Sequence, residues 1–443
     1  MKNLLLNEEF ELNVERLGIY GEGVGRKDGF TLFVDEALPG EHVLVKLYEL
    51  HKNYGRARVV KFLTSSEHRI DPVCPLFGTC GGCQLLHLEY SQQLEAKRQR
   101  VVDAFERIGG FSNVTIDACA PSPSQLGYRN KIQLPCSKEH PVALGLYTRK
   151  THDLVKVDQC YIHCALGEEV FAKIQHILKS YPAAETLKTV VIKTSVNLKE
   201  VLVILVTSSR DLSYYLKDLA RRILKEAPNV RGVVQNINPS SGNVILSDEY
   251  ETLAGNPFIN EEILGCRVKI SPASFFQVNT HQAEKLYQKA INLCSLTGTE
   301  TVLDAYCGVG VLSLIMASHA KQVIGVECVQ DAITNAKENA LTNNISNVKF
   351  ICAPVEETIS SLKDIDVALL NPPRKGCSSF FLEALVKAHP KKIVYISCDP
   401  ATLARDLKYL SSQGYTLDSA HPFDMFPQTV HVECIATLTK STV

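Results

Sequence analysis

The sequence predicts a multidomain protein. A small N-terminal β-barrel spans residues 1–63, a central α+β unit spans 64–265, and a C-terminal α/β unit with a doubly wound sheet spans 266–443. Three observations carry this prediction. A chain of 443 residues is too long for one compact core. Its N-terminal part alternates in short strands between glycine turns. Its C-terminal part alternates strand-length apolar runs with helix-length segments.

The barrel is read from Leu12 to Leu17, the glycine turn Gly21 to Arg26, Phe30 to Val34, a turn at Leu38-Pro39-Gly40-Glu41, and two further runs, Glu41 to Lys46 and Tyr54 to Val60. Arg, Lys and aromatic residues interleave there, with Lys46, Lys52, Arg56, Arg58 and Lys61 close together. That composition suits an oligonucleotide backbone, although a plain barrel with solvated charges has the same pattern. The central unit carries helix-like stretches from Ser91 to Ile108 and Leu212 to Leu224, with strands at Thr189 to Lys193 and Val201 to Val206. In the C-terminal unit, strands are predicted at Val302 to Asp304, Val323 to Glu327, Val348 to Ile351, Val367 to Leu370, Ile393 to Ile396 and Val432 to Leu438. Helices are predicted at Leu312 to Ala317, Asp331 to Asn344 and Phe380 to Ala388.

Composition narrows the function classes. An apolar share of 45% with 21% charged residues is that of a soluble globular protein, and no apolar run approaches the roughly 20 residues that span a bilayer. Met1 to Glu9 lacks the apolar length and cleavage site of a signal peptide, so a cytoplasmic monomer with no membrane association is expected. Fifteen cysteines then read as reduced thiols, metal ligands or a catalytic group rather than disulfides. A net charge of −1 leaves only a local basic face for binding nucleic acid.

Four features carry chemistry. Asp304-Ala305-Tyr306-Cys307-Gly308-Val309-Gly310 follows a strand and opens a helix, so its glycines, Gly308 among them, let a ligand approach the backbone. Glu327 ends the next strand, where a carboxylate grips ribose hydroxyls. Asn371-Pro372-Pro373-Arg374-Lys375-Gly376 follows the fourth strand, and its prolines leave carbonyls free to accept from a substrate. Ser397-Cys398-Asp399-Pro400 leaves a buried strand at its carboxyl end, where open α/β sheets place their chemistry. A strand-end cysteine is more often a small buried residue than a nucleophile, and a lone Glu433 is more often a solvated charge. Beside a nucleotide-type turn, they suggest group transfer by a thiolate.

These motifs, with Phe275-Phe276-Gln277-Val278-Asn279 and Asp424-Met425-Phe426-Pro427-Gln428-Thr429-Val430-His431-Val432-Glu433, resemble the RNA uracil-5-methyltransferase family over essentially the whole chain. The resemblance implies a class I methyltransferase unit using S-adenosylmethionine, with Cys398 as nucleophile and Glu433 as base. Gln277, Tyr306, Glu327 and Asn371 would line the cofactor and uracil pockets, and Phe275 or Phe276 could stack on a flipped base. One departure stands out: the family has Asp where this chain has Asn371, which loses a charge and gains a donor. The barrel resembles a TRAM domain, and barrel plus cysteines resemble the 23S ribosomal RNA branch, with tRNA as the second substrate.

Cys74, Cys80 and Cys83, spaced around Gly81-Gly82, with Cys160 further on, have the composition of a four-thiolate metal site. Cys164 is a rival fourth ligand. By spacing alone zinc and an iron–sulfur cluster both remain open; the family resemblance implies a 4Fe–4S cluster. Two other functions stay in view: amino-group methylation, suggested by Asn371-Pro372-Pro373, and a non-catalytic RNA-binding factor.

Overall fold

Alternation of buried and exposed residues builds the N-terminal barrel. The computed structural model describes residues 4–149, 151, 153–181, 187–210, 213–242 and 244–441, so Leu212, the expected start of a helix, lies outside the described residues, as do 1–3 and 442–443 at the ends of the expected units. β1 (Glu9–Leu17), β2 (Gly23–Lys27), β3 (Phe30–Asp35), β4 (His42–Leu50) and β5 (Tyr54–Thr64) close in the order β1-β2-β3-β5-β4. Period two along β1 sends Phe10, Leu12 and Val14 inward, against Leu32, Val34, Val43, Val45 and Leu47. Arg69, just past the barrel, donates to the buried Glu41 carboxylate (2.9 Å) and to Glu36 O (2.8 Å), which ties the barrel to the segment leading out of it.

Next come α1 (Tyr90–Ala104), β6 (Thr115–Ile116), β7 (Lys131–Pro135), a small hairpin of β8 (Gly145–Tyr147) and β9 (Leu154–Lys156), α2 (Ala165–Leu178), β10 (Leu187–Thr194), β11 (Val201–Thr207), α3 (Ser213–Glu226), β12 (Val230–Ile237), β13 (Tyr250–Gly255) and a second hairpin, β14 (Ile259–Ile263) with β15 (Cys266–Ile270). The central sheet runs β13-β12-β11-β10-β7. Every residue of β11 is buried, because α2 and α3 cover one face while the second hairpin covers the other.

The last unit comprises α4 (Thr280–Cys294), β16 (Thr301–Ala305), α5 (Val311–Ala317), β17 (Gln322–Glu327), α6 (Gln330–Thr342), β18 (Val348–Cys352), α7 (Val355–Thr358), β19 (Val367–Leu370), α8 (Ser379–Ala388), β20 (Lys392–Ser397), α9 (Pro400–Ser412), β21 (Tyr415–Phe423) and β22 (Glu433–Lys440). Its sheet order is β18-β17-β16-β19-β20-β22-β21-β6, parallel from β18 to β20, with β22 antiparallel to both neighbours. The order reverses at β16, so a crevice opens at the carboxyl ends of β16 and β19. One face packs α1, α8 and α9, and the other packs α4, α5 and α6.

The expected doubly wound sheet and small barrel are both present. The chain crosses between units, however: β6 pairs with β21, and Val101, Ala104 and Phe105 sit in the C-terminal core, although residues 90–116 precede the central sheet. A two-residue strand has no periodicity to read, and a helix's apolar stripe does not announce its partner. Among the described residues no helix is long and apolar enough to cross a membrane.

Candidate active site

At the end of β16 the backbone turns sharply, with positive φ at Tyr306 (65°), Gly308 (54°) and Gly310 (83°). A side chain at Gly310 would place its Cβ 2.7 Å from the Phe350 ring, so glycine there lets α5 start hard against β18. Nothing lies within 4 Å of the corresponding point at Gly308, which faces open space. Glu327 at the end of β17 accepts from Gly308 N (3.2 Å), Cys328 N (2.8 Å) and Val329 N (3.0 Å). Those bonds aim its carboxylate at the turn.

Asn371 leaves β19, its N–H donating to Ala305 O (3.3 Å). The loop after it is held by Asp406, which accepts from Cys377 N (2.9 Å), Tyr395 Oη (2.7 Å) and Arg405 Nε (2.8 Å). Gly376, at φ 75°, has no room for a side chain, since Asp406 Oδ2 lies 2.6 Å from its would-be Cβ. Thr402 Oγ1 on α9 donates to Arg374 O (3.1 Å).

Cys398 sits between β20 and α9. Asp399 caps that helix by accepting from Ala401 N (2.9 Å) and Thr402 N (3.0 Å), with Pro400 in the first turn. The last rung between β20 and β22 pairs Ser397 with Cys434, so the antiparallel register carried one step further sets Cys398 opposite Glu433. Glu433 is buried, and burial pushes its carboxyl up to about 7 while Arg374 pulls it down. Burial likewise lifts the Cys398 thiol to about 11; the Glu433 charge adds to the rise, and Arg374 opposes it by charge and by a hydrogen bond.

The loop before Glu433 is fastened from α1. Lys97 pairs with Asp424 and donates to Phe426 O (3.0 Å). Gln93 and Gln428 exchange hydrogen bonds (2.9 and 3.1 Å), and Arg100 Nη1 donates to Val430 O (2.9 Å). Beside that loop, His431 is pushed down to about 4, first by burial and then by Arg374 and Arg100, so it is neutral at pH 7.

All seven residues singled out for chemistry and cofactor, Gln277, Tyr306, Gly308, Glu327, Asn371, Cys398 and Glu433, line one cleft of about 1330 Å³. That exceeds the roughly 300–1,000 Å³ of a single small-molecule pocket, leaving room for two reactants. Phe275 also lines it and is 69% exposed, whereas Phe276 is partly buried between two hydrophobic clusters. Sequence reasoning missed Arg129, Lys131 and Arg374 in the cleft wall. Arg374 was in view inside its motif, and its fixed charge beside a thiol was the usable signal. Arg129 precedes and Lys131 opens β7, a strand of another sheet, and nothing local marks them.

The four cysteines Cys74, Cys80, Cys83 and Cys160 lie within one another's electrostatic reach. Burial lifts the Cys83 thiol to about 12, and Cys160, Cys80 and Cys74 add to the rise. Cys160 is pushed up to about 11, again mainly by burial, with Cys80 contributing. Cys164 faces elsewhere: burial raises its thiol, and its partners are Gly167 and Thr194. Gly82 N donates to Cys80 Sγ (3.4 Å), and Glu168 accepts from Cys160 N (3.0 Å). Four partly buried thiols, with backbone donors at Cys80 and Cys160, have the right chemistry for a cluster. Among the described residues, though, no group of three or more His, Cys, Asp or Glu side chains is arranged to hold a metal ion.

The family model described as tRNA (Uracil-5-)-methyltransferase matches residues 89–441, and the TRAM domain model matches residues 4–60. An uncharacterized RNA methyltransferase of Clostridium acetobutylicum is 39% identical over 98% of this chain and 97% of its own length. One of Listeria monocytogenes is 40% identical over 98% of both. The crystal structure of Pyrococcus abyssi tRNA (uracil-54, C5)-methyltransferase in complex with S-adenosyl-L-homocysteine superposes with a TM-score of 0.75 at 28% identity, covering 97% of this chain and 100% of that one.

Proposed function

Because this chain belongs to the RNA uracil-5-methyltransferase family and carries a TRAM domain, we propose that it methylates C5 of a specific uridine through a covalent adduct between Cys398 and uracil C6. One observation carries the reading: Cys398, one residue past the last β20–β22 pair of Ser397 with Cys434, lines the same cleft as Glu433 and the cofactor turn, and the Glu433 charge acts on its thiol. The open space at Gly308 and the Glu327 carboxylate fit the nucleoside half of S-adenosylmethionine, with Tyr306 and Gln277 beside them. When bound, that molecule supplies an electrophilic methyl group.

Carbon 5 of uracil is a poor nucleophile. Addition of the Cys398 thiolate to C6 sends the ring π-electrons toward O4 and makes C5 enolate-like. Once C5 carries the methyl group, Glu433 takes its proton and the C6–S electron pair returns to sulfur. The buried cleft requires the base to leave its stack, and Phe275 offers the exposed ring on which it can rest. Asn371 presents both a donor and an acceptor to the ring where the family has a carboxylate.

We read the chain as three working units, a barrel to residue 63, a central unit to 265 and a transfer unit beyond, with residues 90–116 contributing to the transfer sheet. It acts as a cytoplasmic monomer in this reading. The thiols of Cys74, Cys80, Cys83 and Cys160 would hold a 4Fe–4S cluster that orders the central unit against RNA. Barrel and cysteines together favour 23S ribosomal RNA as substrate. A tRNA substrate is favoured by the Pyrococcus tRNA enzyme, whose likeness extends over 97% of this chain, barrel included.

Replacing Cys398 by Ala is expected to abolish methyl transfer, and 5-fluorouridine RNA is expected to trap a covalent adduct with the wild type. Normal transfer by C398A would overturn the mechanism in favour of amino-group methylation. No tritium transfer from labelled S-adenosylmethionine into any RNA would leave a binding factor. Nucleoside analysis of ribosomal RNA and tRNA from a deletion strain decides the substrate by which pool loses 5-methyluridine.

A further inference from the structure

The loop 271–278 brings Phe275 and Gln277 to the cleft, and the central sheet anchors it at both ends. At its start stands Lys193 of β10, a buried side chain. Its Nζ donates to Ser271 O (3.1 Å), Pro272 O (2.7 Å) and Ser274 O (2.8 Å). At the other end Asn130 Nδ2 donates to Gln277 O (2.8 Å), and Asn130 N donates to Val278 O (2.8 Å). The two anchors are neighbours in the sheet: Thr194 N donates to Asn130 O (2.8 Å), and Lys193 pairs with Lys131 in the β7–β10 ladder.

Ser274 N donates to Ser271 O (3.2 Å), which closes a tight turn, and Asn335 of α6 donates to the hydroxyls of both serines (3.2 Å each). That turn aims the carbonyls of 271, 272 and 274 at one point inside the protein, where they need donors. An ammonium brings three N–H bonds to three carbonyls, a match that a side-chain amide with two cannot make. Burial, and then the Lys131 charge, push the Lys193 ammonium down to about 7, while the carbonyls around it favour the protonated form. Period two along β10 puts Val191 on the same face as Lys193, and Phe276 packs against the cluster that holds Val191. With Phe276 drawn onto the sheet, its neighbour Phe275 is left 69% exposed in the cleft.

We infer that Lys193 is a positioning residue for the target uridine: by holding the three carbonyls around the start of the loop, it sets where the Phe275 ring stands to receive the flipped base. Lys193 is not among the residues that line the cleft, so it acts through the loop. The cofactor turn at the end of β16 is held by other contacts, with Glu327 and with the close packing at Gly310, and does not depend on it. Loss of the ammonium therefore loosens the base-receiving side of the cleft and spares the cofactor side.

This inference rests on the reading that Phe275 receives a flipped uridine, but its first test needs no RNA. The chain has no tryptophan, so F275W places a single fluorescent reporter on the loop itself. Its time-resolved anisotropy is compared in the full chain with and without K193M, which keeps the length of the side chain and removes its donors. The reporter is expected to gain a fast local motion in K193M and to lose it again in K193R, which restores charge and donors. With Phe275 in place and saturating S-adenosylmethionine, trapping of 5-fluorouridine RNA is expected to slow by about ten- to a hundredfold in K193M. Affinity for S-adenosyl-L-homocysteine, the check on folding, should not change. If K193M binds S-adenosyl-L-homocysteine and either the reporter or the trapping rate stays as in wild type, the inference is overturned, whatever happens to the melting temperature, because a merely structural lysine would move only that. If K193M does not bind it, K193Q, which keeps two donors on a shorter side chain, decides by the same two readouts. Failure of the underlying reading looks different: with Lys193 intact, F275A would trap RNA at the normal rate, or the wild type would trap none.

Discussion

Lys97 and Asp424 form an ion pair in the protein interior, with side chains 1% and 0% exposed, joining α1 to the loop that delivers Glu433. The same ammonium donates to Phe426 O (3.0 Å), and one turn earlier Gln93 binds Gln428. Gln428 also has positive φ (69°), a conformation that non-glycine residues hold only when their surroundings enforce it. The Glu433 carboxylate is thus positioned from a helix more than three hundred residues away in sequence.

Breaking that pair from one side should be costly. K97M leaves the Asp424 carboxylate buried without its cation and is expected to destabilise the fold by about 3–5 kcal/mol in denaturant unfolding. K97M combined with D424L removes both charges and should recover most of that loss. Methyl transfer stays impaired in the double variant, because Phe426 O loses its donor while the cofactor turn is untouched. Equal stability of single and double variants would show that the pair contributes nothing.

With Glu433 as the proposed base, its carboxyl sets the expected pH dependence. The proton-accepting form is the carboxylate, and burial raises its pKa to about 7, so turnover should rise as pH increases through 7. The thiol, lifted to about 11 mainly by burial, keeps the rate climbing above that point. E433Q should lower turnover by about 10²–10⁴-fold, abolish the inflection near 7, and accumulate a methylated adduct on Cys398. An E433Q profile that keeps the inflection would assign it to another group.

Much of this site was legible in the sequence, for definite reasons. The strands β16, β17, β19 and β20 are buried on both faces and read as short apolar runs, so the residues at their carboxyl ends, Tyr306, Glu327, Asn371 and Cys398, could be placed along one edge. What stayed hidden depends on long-range pairing. β21 alternates weakly because its later residues are all buried, and β6 is two residues long. The ties from Gln93 and Lys97 to Gln428 and Asp424 join distant segments, so no local pattern encodes them. Arg374 sat within a motif whose prolines drew the reading to its backbone.

Adjacent phenylalanines should separate by role. Phe275 is exposed in the cleft, and F275A is expected to cost about 1–3 kcal/mol of RNA-dependent kcat/KM through lost stacking, with melting temperature unchanged. Phe276 bridges two hydrophobic clusters, so F276A should instead lower stability by up to about 3 kcal/mol. Thermal unfolding and steady-state kinetics on the two variants separate the roles, and a stability loss in F275A with unchanged kinetics would reverse the assignment.

The fourth thiol can be decided between Cys160 and Cys164. Cys160 shares an electrostatic environment with Cys80 and Cys83, and Glu168 orders its loop through Cys160 N (3.0 Å) and His163 Nδ1 (3.0 Å). Cys164 stands at the start of α2 with its thiol against Thr194 and Gly167, turned from the other three. If the four thiols hold an iron–sulfur cluster, protein purified without oxygen is brown, C160S loses nearly all of its visible absorbance and iron, and C164S keeps both. A colourless wild type with one equivalent of zinc would replace the cluster by a structural ion on the same thiols. Bleaching by C164S with C160S still brown would require the loop from Cys160 to Cys164 to reorganise when metal binds. Because Glu168 fastens that loop to α2, E168A should then weaken metal retention in C160S more than in the wild type.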